Sequence, residues 1–353
     1  HLNVYSWEDT DLRVMHVMGG GDVGGAKTQI MNTVTGLSRT NDVMLISFRA
    51  GPFADEARER GIDVRVIERH NPFRAARTMR DLVDEFKPDI IHCHGGRANL
   101  MGAMVRRSRR IPIITTVHSD YRLDYLGSPL KQHTLGTANA IALRFLDFYQ
   151  PVADRMARTL IERGFDPERI VKIYNGMEFN RPEGEFDRAA YLRETYGAEI
   201  EEGDVLCGIA ARLTAVKDIA TTVRGFAEAL KTAPQLRLFI AGDGEDADML
   251  KKLCDQLGVR ERVTFCGWVS PVMPFFRAMD INLLSSVSET FPYSILEGVC
   301  AGCATICSDV GGMPELIDTG ENGYIFPVGD DKKLAEYMAR LANDAALRHT
   351  FAE

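Results

Sequence analysis

The chain has 353 residues, of which 45% are hydrophobic, and a formal net charge of −8 at pH 7. This length exceeds what one hydrophobic core usually holds, so we predict two domains of ordinary size. The seven cysteines lack paired spacing, which argues against a disulfide-stabilised protein and favours the cytoplasm. We see no apolar stretch of membrane-spanning length and no signal peptide, so we do not expect a membrane-spanning protein.

Apolar, strand-like runs alternate with helical patterns along the chain, which is typical of βαβ units and parallel sheets. The first series is Leu12 to Met18, Val43 to Phe48, Val64 to Ile67, Ile90 to Cys93 and Ile113 to Val117. The second series is Val205 to Ala211, Leu236 to Ala241, Val263 to Cys266, Ile281 to Leu284, Ala304 to Cys307 and Gly323 to Phe326. We therefore predict an α/β fold with two doubly wound, Rossmann-like domains that bind ligand at their strand ends.

A polar segment, residues 181–203, separates the predicted domains 1–180 and 204–353. Residues 1–180 carry a net charge of +3 and the remainder carries −11. The first domain also contains eight arginines in two groups: Arg69, Arg74, Arg77, Arg80, Arg106, Arg107, Arg109 and Arg110. These arginines either attract anionic lipid or a phosphate-bearing acceptor, or are solvated side chains near helix ends. Nothing indicates sequence-specific nucleic-acid binding.

The glycine-rich segment from Gly19 to Gly25 follows the first strand and satisfies G-x-G-x-x-G. One interpretation is a dinucleotide site, but the second strand ends in Ser47-Phe48-Arg49 rather than in an acidic residue, so only a phosphorylated dinucleotide stays open. A flexible turn is a second interpretation. We favour a third, in which glycine allows the backbone to approach a phosphate or an acceptor.

Histidines end two strands of the first domain. His92 and His94 alternate on one strand, but no carboxylate or cysteine set completes a metal site, so we expect a structural or supporting role. His118 ends the strand Ile113 to Val117 and is the stronger functional candidate, with a satisfied structural histidine as the alternative. We expect no metal.

In the second domain, Arg212 and Lys217 follow a predicted buried strand. The planar donors of arginine and the compact charge of lysine together suit a diphosphate leaving group, although two solvated cations remain an alternative.

Glu289 and Glu297 lie eight residues apart, and Pro292 between them fits the first turn of a helix that runs to about Ala301. A rise of roughly 1.5 Å per residue separates the carboxylates by about 10 Å, the reach from a hexose to a ribose. Backbone N–H groups near Phe291, Tyr293 and Ser294 would face the diphosphate. Two surface carboxylates on an ordinary helix are the alternative.

With these residues, the chain resembles the family 4 glycosyltransferases, retaining GT-B enzymes that use nucleotide-diphosphate sugars. The matching motifs are Gly24-Gly25, His92-Cys93-His94, Thr116-Val117-His118, Asn175-Gly176, Arg212 with Lys217, Ala241-Gly242-Asp243-Gly244, Gly267-Trp268, Glu289 to Glu297 and Val310 to Glu315. Order and spacing agree over nearly the whole chain. The resemblance implies two domains that face a central cleft. Members usually continue into a crossing helix, which we expect to be absent because the chain ends soon after the helix-like Lys332 to Asn343.

The resemblance also implies roles for individual residues. Arg212 and Lys217 hold the diphosphate, Glu289 binds hydroxyls of the transferred sugar, and His118 reaches the reacting centre; Glu297 binds the ribose. The remaining donor-binding candidates are Gly24, Gly25, Gly242, Gly244, Trp268, Phe291, Tyr293 and Ser294. The acceptor-side candidates are His94, Asn175, Tyr121 and Arg122.

The expected substrates are a UDP- or GDP-sugar and a hydroxyl acceptor on a sugar, glycolipid or other molecule, with no cofactor. We expect a cytoplasmic enzyme with a peripheral contact at the inner face of the membrane. Two other functions stay open. A nucleotide-sugar epimerase or phosphorylase would act on the donor without an acceptor, and a non-catalytic subunit would bind the donor without turnover. Cys300 and Cys303 are expected to be buried packing residues rather than a redox or metal pair.

Overall fold

The structure, a computed structural model, describes residues 11–19, 25–68, 71–106, 108–118, 132–179 and 184–353. The chain divides into two compact units, residues 1–176 and residues 177–353. Each unit is built around one six-stranded sheet in which every described strand pairing is parallel.

The sheet of unit 1 (residues 1–176) has the strand order β3-β2-β1-β4-β5-β6. Its strands are β1 (Arg13–Met18), β2 (Asp42–Ser47), β3 (Asp63–Val66), β4 (Ile90–His94), β5 (Ile113–Val117) and β6 (Phe148–Pro151). The helices are α1 (Gly25–Leu37), α2 (Pro52–Glu59), α3 (Pro72–Phe86), α4 (Gly96–Arg106), α5 (Thr137–Leu143) and α6 (Asp154–Glu162). A π-helical turn, Gln132–Gly136, precedes α5, and a 3-10 turn spans Pro167–Arg169.

Both faces of this sheet are buried, which explains why its strands are apolar runs rather than alternating patterns. Successive residues of β2 show the two faces, because Val43 and Leu45 pack with α1 and α2 while Met44 and Ile46 pack with α3 and α4. The sheet is therefore enclosed between two helical layers.

The sheet of unit 2 (residues 177–353) has the strand order β12-β11-β10-β7-β8-β9. Its strands are β7 (Val205–Ala210), β8 (Leu236–Ala241), β9 (Val263–Gly267), β10 (Ile281–Leu284), β11 (Ala304–Ser308) and β12 (Tyr324–Phe326). The helices are α7 (Arg188–Tyr196), α8 (Ile219–Ala229), α9 (Ala247–Gln256), α10 (Met273–Arg277), α11 (Tyr293–Ala301), α12 (Met313–Leu316), α13 (Asp331–Asn343) and α14 (Ala345–Ala352). Short 3-10 turns span Ala215–Lys217 and Arg260–Arg262.

The two sheets have the same topology, since each places its first and fourth strands side by side at the centre. Consecutive connections then leave in opposite directions from this pair, which makes it the topological switch point where open α/β sheets bind ligands. The predicted α/β fold with two doubly wound domains is confirmed.

Several elements were not predicted individually, and one prediction is wrong. Strand β6 was missed because Phe-Tyr-Gln-Pro is too short and mixed for an apolar run, and helix α14 was missed because it follows α13 after a single residue, Asp344. Helix α7 lies inside the segment predicted as a linker, residues 181–203. Pro292 is not in the first helical turn: it is the N-cap of α11, with an extended ψ of 130°. This conformation is usual for the residue that precedes the first turn.

Candidate functional site

The predicted donor residues of unit 2 follow the strands of its switch point. Arg212 and Lys217 lie beyond the end of β7, and Glu289 lies beyond the end of β10, the strand paired with β7. Parallel neighbours end at the same edge of a sheet, so the fold brings these two loops together. The sequence separation between Lys217 and Glu289 is 72 residues.

Lys217 and Glu289 form an ion pair between Lys217 Nζ and Glu289 Oε1. The Ser286 hydroxyl donates a hydrogen bond of 2.8 Å to the same carboxylate oxygen. Only 20% of the Lys217 side chain and 12% of the Glu289 side chain are exposed, which shields the pair from solvent more than a surface ion pair. Both donors use Oε1, so Oε2 is the carboxylate oxygen available to a ligand hydroxyl. Ser286 was not predicted from the sequence.

The main chain around Lys217 is attached to the β10 loop by buried hydroxyl groups. Ser285 Oγ donates to the carbonyls of Lys217 and Asp218 at 3.1 and 2.9 Å, and it accepts a 2.8 Å bond from Thr222 Oγ1. The Val287 N–H also donates to the Val216 carbonyl at 2.9 Å. These bonds join the two loops.

Gly242 and Gly244 hold the loop that carries Arg212. A Cβ on Gly242 would lie 1.8 Å from the Ala211 carbonyl oxygen, and one on Gly244 would lie 2.2 Å from that of Leu213. Glycine at these positions therefore has a structural reason in the unit itself, namely the close approach of the loops after β7 and β8. The Arg212 side chain is exposed and makes no ion pair or hydrogen bond with any residue that the structure describes.

Gly311 likewise allows two loops to approach closely, here beside Glu289. Its φ is +53°, and a Cβ there would lie 2.4 Å from the Thr290 oxygen and 2.5 Å from the Glu289 oxygen. The next N–H, on Gly312, donates to the Thr290 carbonyl at 2.6 Å. The loop after β11 thus supports the main chain of Glu289 directly.

Helix α11 carries the other donor candidates. The side chains of Phe291 and Tyr293 are only 6% and 4% exposed, so they offer little side-chain surface to a ligand. Asn282, fully buried on β10, donates to the Ser294 carbonyl at 2.9 Å and lies under Gly298, where a Cβ would meet it at 2.1 Å. This asparagine, which sequence analysis missed, sets the position of the helix start.

Glu297 is half-buried on α11, and burial raises the pKa of its carboxyl to about 7. The carboxyl has no ion pair or hydrogen bond within the described part of the chain. Trp268 follows β9 and is 63% exposed. Since the Gly242 N–H donates to the Gly267 carbonyl at 2.7 Å, Trp268 lies next to the Gly242 loop.

Unit 1 has a cluster of four histidines at its own switch point. His16 on β1 and His94 on β4 are joined by a contact of 3.1 Å between Nδ1 and Nε2, and His94 Nδ1 lies 3.4 Å from His118 Nε2. His92 Nε2 bonds Thr116 Oγ1 at 2.7 Å. Burial lowers the pKa of His16 and of His118 to about 4, and it lowers those of His92 and His94 well below the usual value. His16 was not predicted, because a lone histidine in an apolar strand resembles an ordinary core residue.

The histidine cluster also has the residue types of a metal site. Ligand atoms of His16, His92 and His94 all lie within 4.8 Å of one another. The rings meet in two ways: His92 stacks on His94, with 4.3 Å between ring centroids, whereas His16 Nδ1 faces His94 Nε2 at 3.1 Å. The second contact is short enough for a hydrogen bond between two neutral rings.

The acceptor-side candidates are only partly described. The Asn175-Gly176 segment lies beside α1, since Asn32 Nδ2 donates to the Gly176 carbonyl at 3.4 Å. Gly25, the exposed first residue of α1, belongs to the same helix. Gly24, Tyr121 and Arg122 lie outside the described residues.

The arginines of unit 1 differ in their surroundings. Arg106 pairs with Asp147 at 2.6 Å and Arg109 pairs with Asp84 at 2.5 Å, so two of the predicted basic residues are locally neutralised. Arg74 and Arg77 are exposed on α3. Arg69 and Arg107 lie outside the described residues. Across the described ranges, no helix combines the length and apolarity needed to cross a membrane.

Cys300 and Cys303 are 2% and 1% exposed, as predicted for packing residues. The Cys303 thiol donates to the carbonyl of Phe276 at 3.2 Å. All seven cysteines are free thiols.

Models of two families match the chain, one over each half. Glycosyltransferase Family 4 matches residues 23–181, and Glycosyl transferases group 1 matches residues 197–353. An uncharacterized glycosyltransferase of Methanocaldococcus jannaschii is 29% identical over 277 residues, which are 74% of this chain and 68% of that protein. N-acetyl-alpha-D-glucosaminyl L-malate synthase of Bacillus anthracis is 27% identical over 289 residues, which are 79% of this chain and 71% of the synthase.

Solved structures show the same fold. HepE of Anabaena in complex with UDP-glucose matches with a TM-score of 0.84 at 21% identity, over 97% of this chain and 92% of HepE. A glycosyltransferase of Rickettsia africae matches with a TM-score of 0.82 at 17% identity, over 98% of this chain and 92% of that one. At these identities the likeness concerns the fold.

Proposed function

The chain belongs to glycosyltransferase family 4, and we propose that it is a retaining, metal-independent enzyme that transfers a hexose or N-acetylhexosamine from a UDP- or GDP-sugar. The acceptor is a hydroxyl group of a sugar, glycolipid or other molecule, in polysaccharide, cell-envelope glycan or glycolipid synthesis. The GT-B fold that the resemblance implied is confirmed.

The ion pair between Lys217 and Glu289 carries this proposal. A lysine ammonium has three donors, and Glu289 Oε1 takes one, which leaves two for a phosphate of the donor. Glu289 Oε2 accepts from a hydroxyl of the transferred sugar. Arg212, exposed at the end of the neighbouring loop, supplies the second cation for the diphosphate. One small region thus serves both ends of the bond that breaks.

In the proposed reaction, the bond between the anomeric carbon and the phosphate oxygen breaks while the acceptor oxygen bonds to that carbon on the same face. The leaving diphosphate takes the proton of the acceptor hydroxyl. Arg212 and Lys217 stabilise the negative charge that develops on the diphosphate, which is the largest contribution expected of the protein. Glu289 positions the sugar and forms no covalent bond with it.

Relatives support a nucleotide-sugar donor. HepE was solved with UDP-glucose, which favours a uridine nucleotide, and the Bacillus anthracis relative is named for an N-acetylglucosaminyl product. Glu297, on α11, is proposed to accept from the ribose hydroxyls. The backbone of α11 is proposed to approach the phosphates.

The proposed setting is the cytoplasm, with a peripheral contact at the membrane. Seven free thiols suit a reducing compartment. Phe73, at the start of α3, is 73% exposed and stands next to the exposed Arg74, with Arg77 one turn further. An exposed aromatic ring beside cations suits contact with anionic lipid.

The test is donor hydrolysis and binding over a panel of UDP- and GDP-sugars, with chelator present. Selective hydrolysis by the wild-type protein, lost in Lys217→Ala and Glu289→Ala, is the expected result and names the donor. Lys231→Ala is the matched control, because Lys231 also pairs with a glutamate but is 67% exposed. Hydrolysis that persists in both site variants, or that needs an added metal ion, would contradict the proposal.

A further inference from the structure

Three histidines of unit 1 form a continuous chain of ring contacts that ends at a candidate catalytic residue. His94 lies in the middle, with Nε2 3.1 Å from His16 Nδ1 and Nδ1 3.4 Å from His118 Nε2. His16 is completely buried and His94 is 2% exposed. Both ring nitrogens of His94 therefore face a nitrogen of another histidine.

All three rings are neutral near pH 7, since burial lowers their pKa values. A neutral imidazole has one N–H donor and one acceptor nitrogen. His94 must therefore donate to one neighbour and accept from the other. The proton positions of the three rings are coupled, and only two arrangements satisfy both contacts.

The two arrangements differ at the ends of the chain. In the first, His16 Nδ1–H donates to His94, His94 Nδ1–H donates to His118 Nε2, and His118 keeps its proton on Nδ1. In the second, every proton is reversed, and His118 donates from Nε2. His16 Nε2 is buried and makes no hydrogen bond in the described structure, so it is an unmet acceptor in the first arrangement and an unmet donor in the second.

We propose that His16 and His94 are positioning residues that hold His118 as its Nδ1–H tautomer. Burying an unmet N–H is rarer in proteins than burying an unmet acceptor, which favours the first arrangement. The tautomer of a histidine is set by the hydrogen bond of its other nitrogen, and here that bond extends through His94 to His16. His92 stacks on His94 at 4.3 Å between ring centroids and is anchored by Thr116, which keeps the His94 ring in plane.

The consequence for catalysis rests on the proposed function. If His118 takes part in the proposed transfer, its ring must present the same nitrogen in every turnover. A mixed population of tautomers would leave part of the enzyme with an acceptor where a donor is required. Loss of the chain of contacts from His16 through His94 to His118 should therefore lower kcat more than it changes KM.

The test uses the full chain labelled with 15N-histidine, and it reads the protonation of each His118 nitrogen by NMR at pH 7. We expect Nδ1 protonated and Nε2 unprotonated. His16→Leu has similar volume but no donor, and it should give mixed His118 tautomers and about a tenfold lower kcat, the usual effect of one lost hydrogen bond. His16→Asn keeps an N–H donor near the Nδ1 position and should restore both.

Three results would overturn the inference: a wild-type His118 protonated at Nε2, an unchanged His118 tautomer in His16→Leu, or equal losses in His16→Leu and His16→Asn with the tautomer unaffected. The last result would show a packing effect. The NMR measurement needs no turnover, so it tests the coupling of the three histidines even when the wild-type protein hydrolyses no nucleotide sugar. A wild-type protein without such hydrolysis would instead reject the proposed function.

Discussion

The two units share one strand order, yet their switch points hold opposite kinds of chemistry. In unit 1 four neutral histidines are packed against each other, whereas in unit 2 a lysine and a glutamate form an ion pair. His16 and His94 lie within strands, while Lys217 and Glu289 lie in loops beyond them. With the same topology, residues within the strands are neutral and residues in the loops beyond the strands are charged. The strand interiors exclude the water that stabilises a charged side chain.

The largest expected effect comes from breaking the charged side of this comparison. Lys217→Met or Glu289→Gln should each lower kcat/KM for donor turnover by about 10²-fold, as loss of a preorganised charge at a reacting centre does. The double variant should lose little more, because the two groups act as a unit. Steady-state kinetics of the four proteins measure this coupling, and fully additive losses would show that the residues act separately.

A side chain at Gly311, which contacts the main chain of Glu289, should have the next largest effect, this time on stability. Gly311→Ala places a Cβ against two carbonyl oxygens and should lower the free energy of unfolding by about 3 kcal/mol. Gly320→Ala is the control, since Gly320 also has a positive φ, +91°, but nothing within 4 Å of a Cβ. That control should lose only about 1 kcal/mol. Urea unfolding of both variants distinguishes crowding from backbone strain, and equal losses would reject the crowding argument.

Acid should weaken unit 1 before unit 2. The pKa of His16 is about 4 in the folded chain and 6.5 in an unfolded one, so the unfolded state binds more protons between these values. Stability is then lost as pH falls below 6.5, by about 2 kcal/mol at pH 5 for this histidine alone. Native-state hydrogen exchange should show β1 and β4 losing protection before β7 and β8. His16→Leu should reduce this difference in protection between the two sheets. Identical pH dependence of protection in both sheets of the wild-type protein would contradict the prediction.

Glu297 should make the free energy of unfolding depend on pH in the opposite direction to His16, with a smaller magnitude. Its folded pKa of about 7 lies above the unfolded value of 4.5, so the folded state binds more protons and stability falls as pH rises between these values. Glu297→Gln should remove this slope and add about 1 kcal/mol at pH 8, a figure reduced for the partial exposure of the carboxyl. Thermal unfolding at pH 5 and 8 measures it, and a variant that is destabilised at pH 8 would contradict the assignment.

Sequence patterns predicted the strands well because parallel strands are continuous apolar runs that need no long-range information. Ile113 to Val117 and Leu236 to Ala241 were predicted with their observed bounds. The site was harder. Arg212 and Lys217 were predicted to act together, but the contact of Lys217 with Glu289 spans 72 residues and depends on strand order. Strand order also explains why His16 escaped, since only the pairing of β1 with β4 brings it to His94.

The close approach of Gly242 to Ala211 has a consequence for engineering the proposed donor site. A side chain at Gly242 or Gly244 would displace the main chain of the loop after β7, so a change at either glycine also alters the loop that carries Arg212. Libraries should therefore leave both glycines unchanged and diversify Trp268, which follows Gly267 and is 63% exposed.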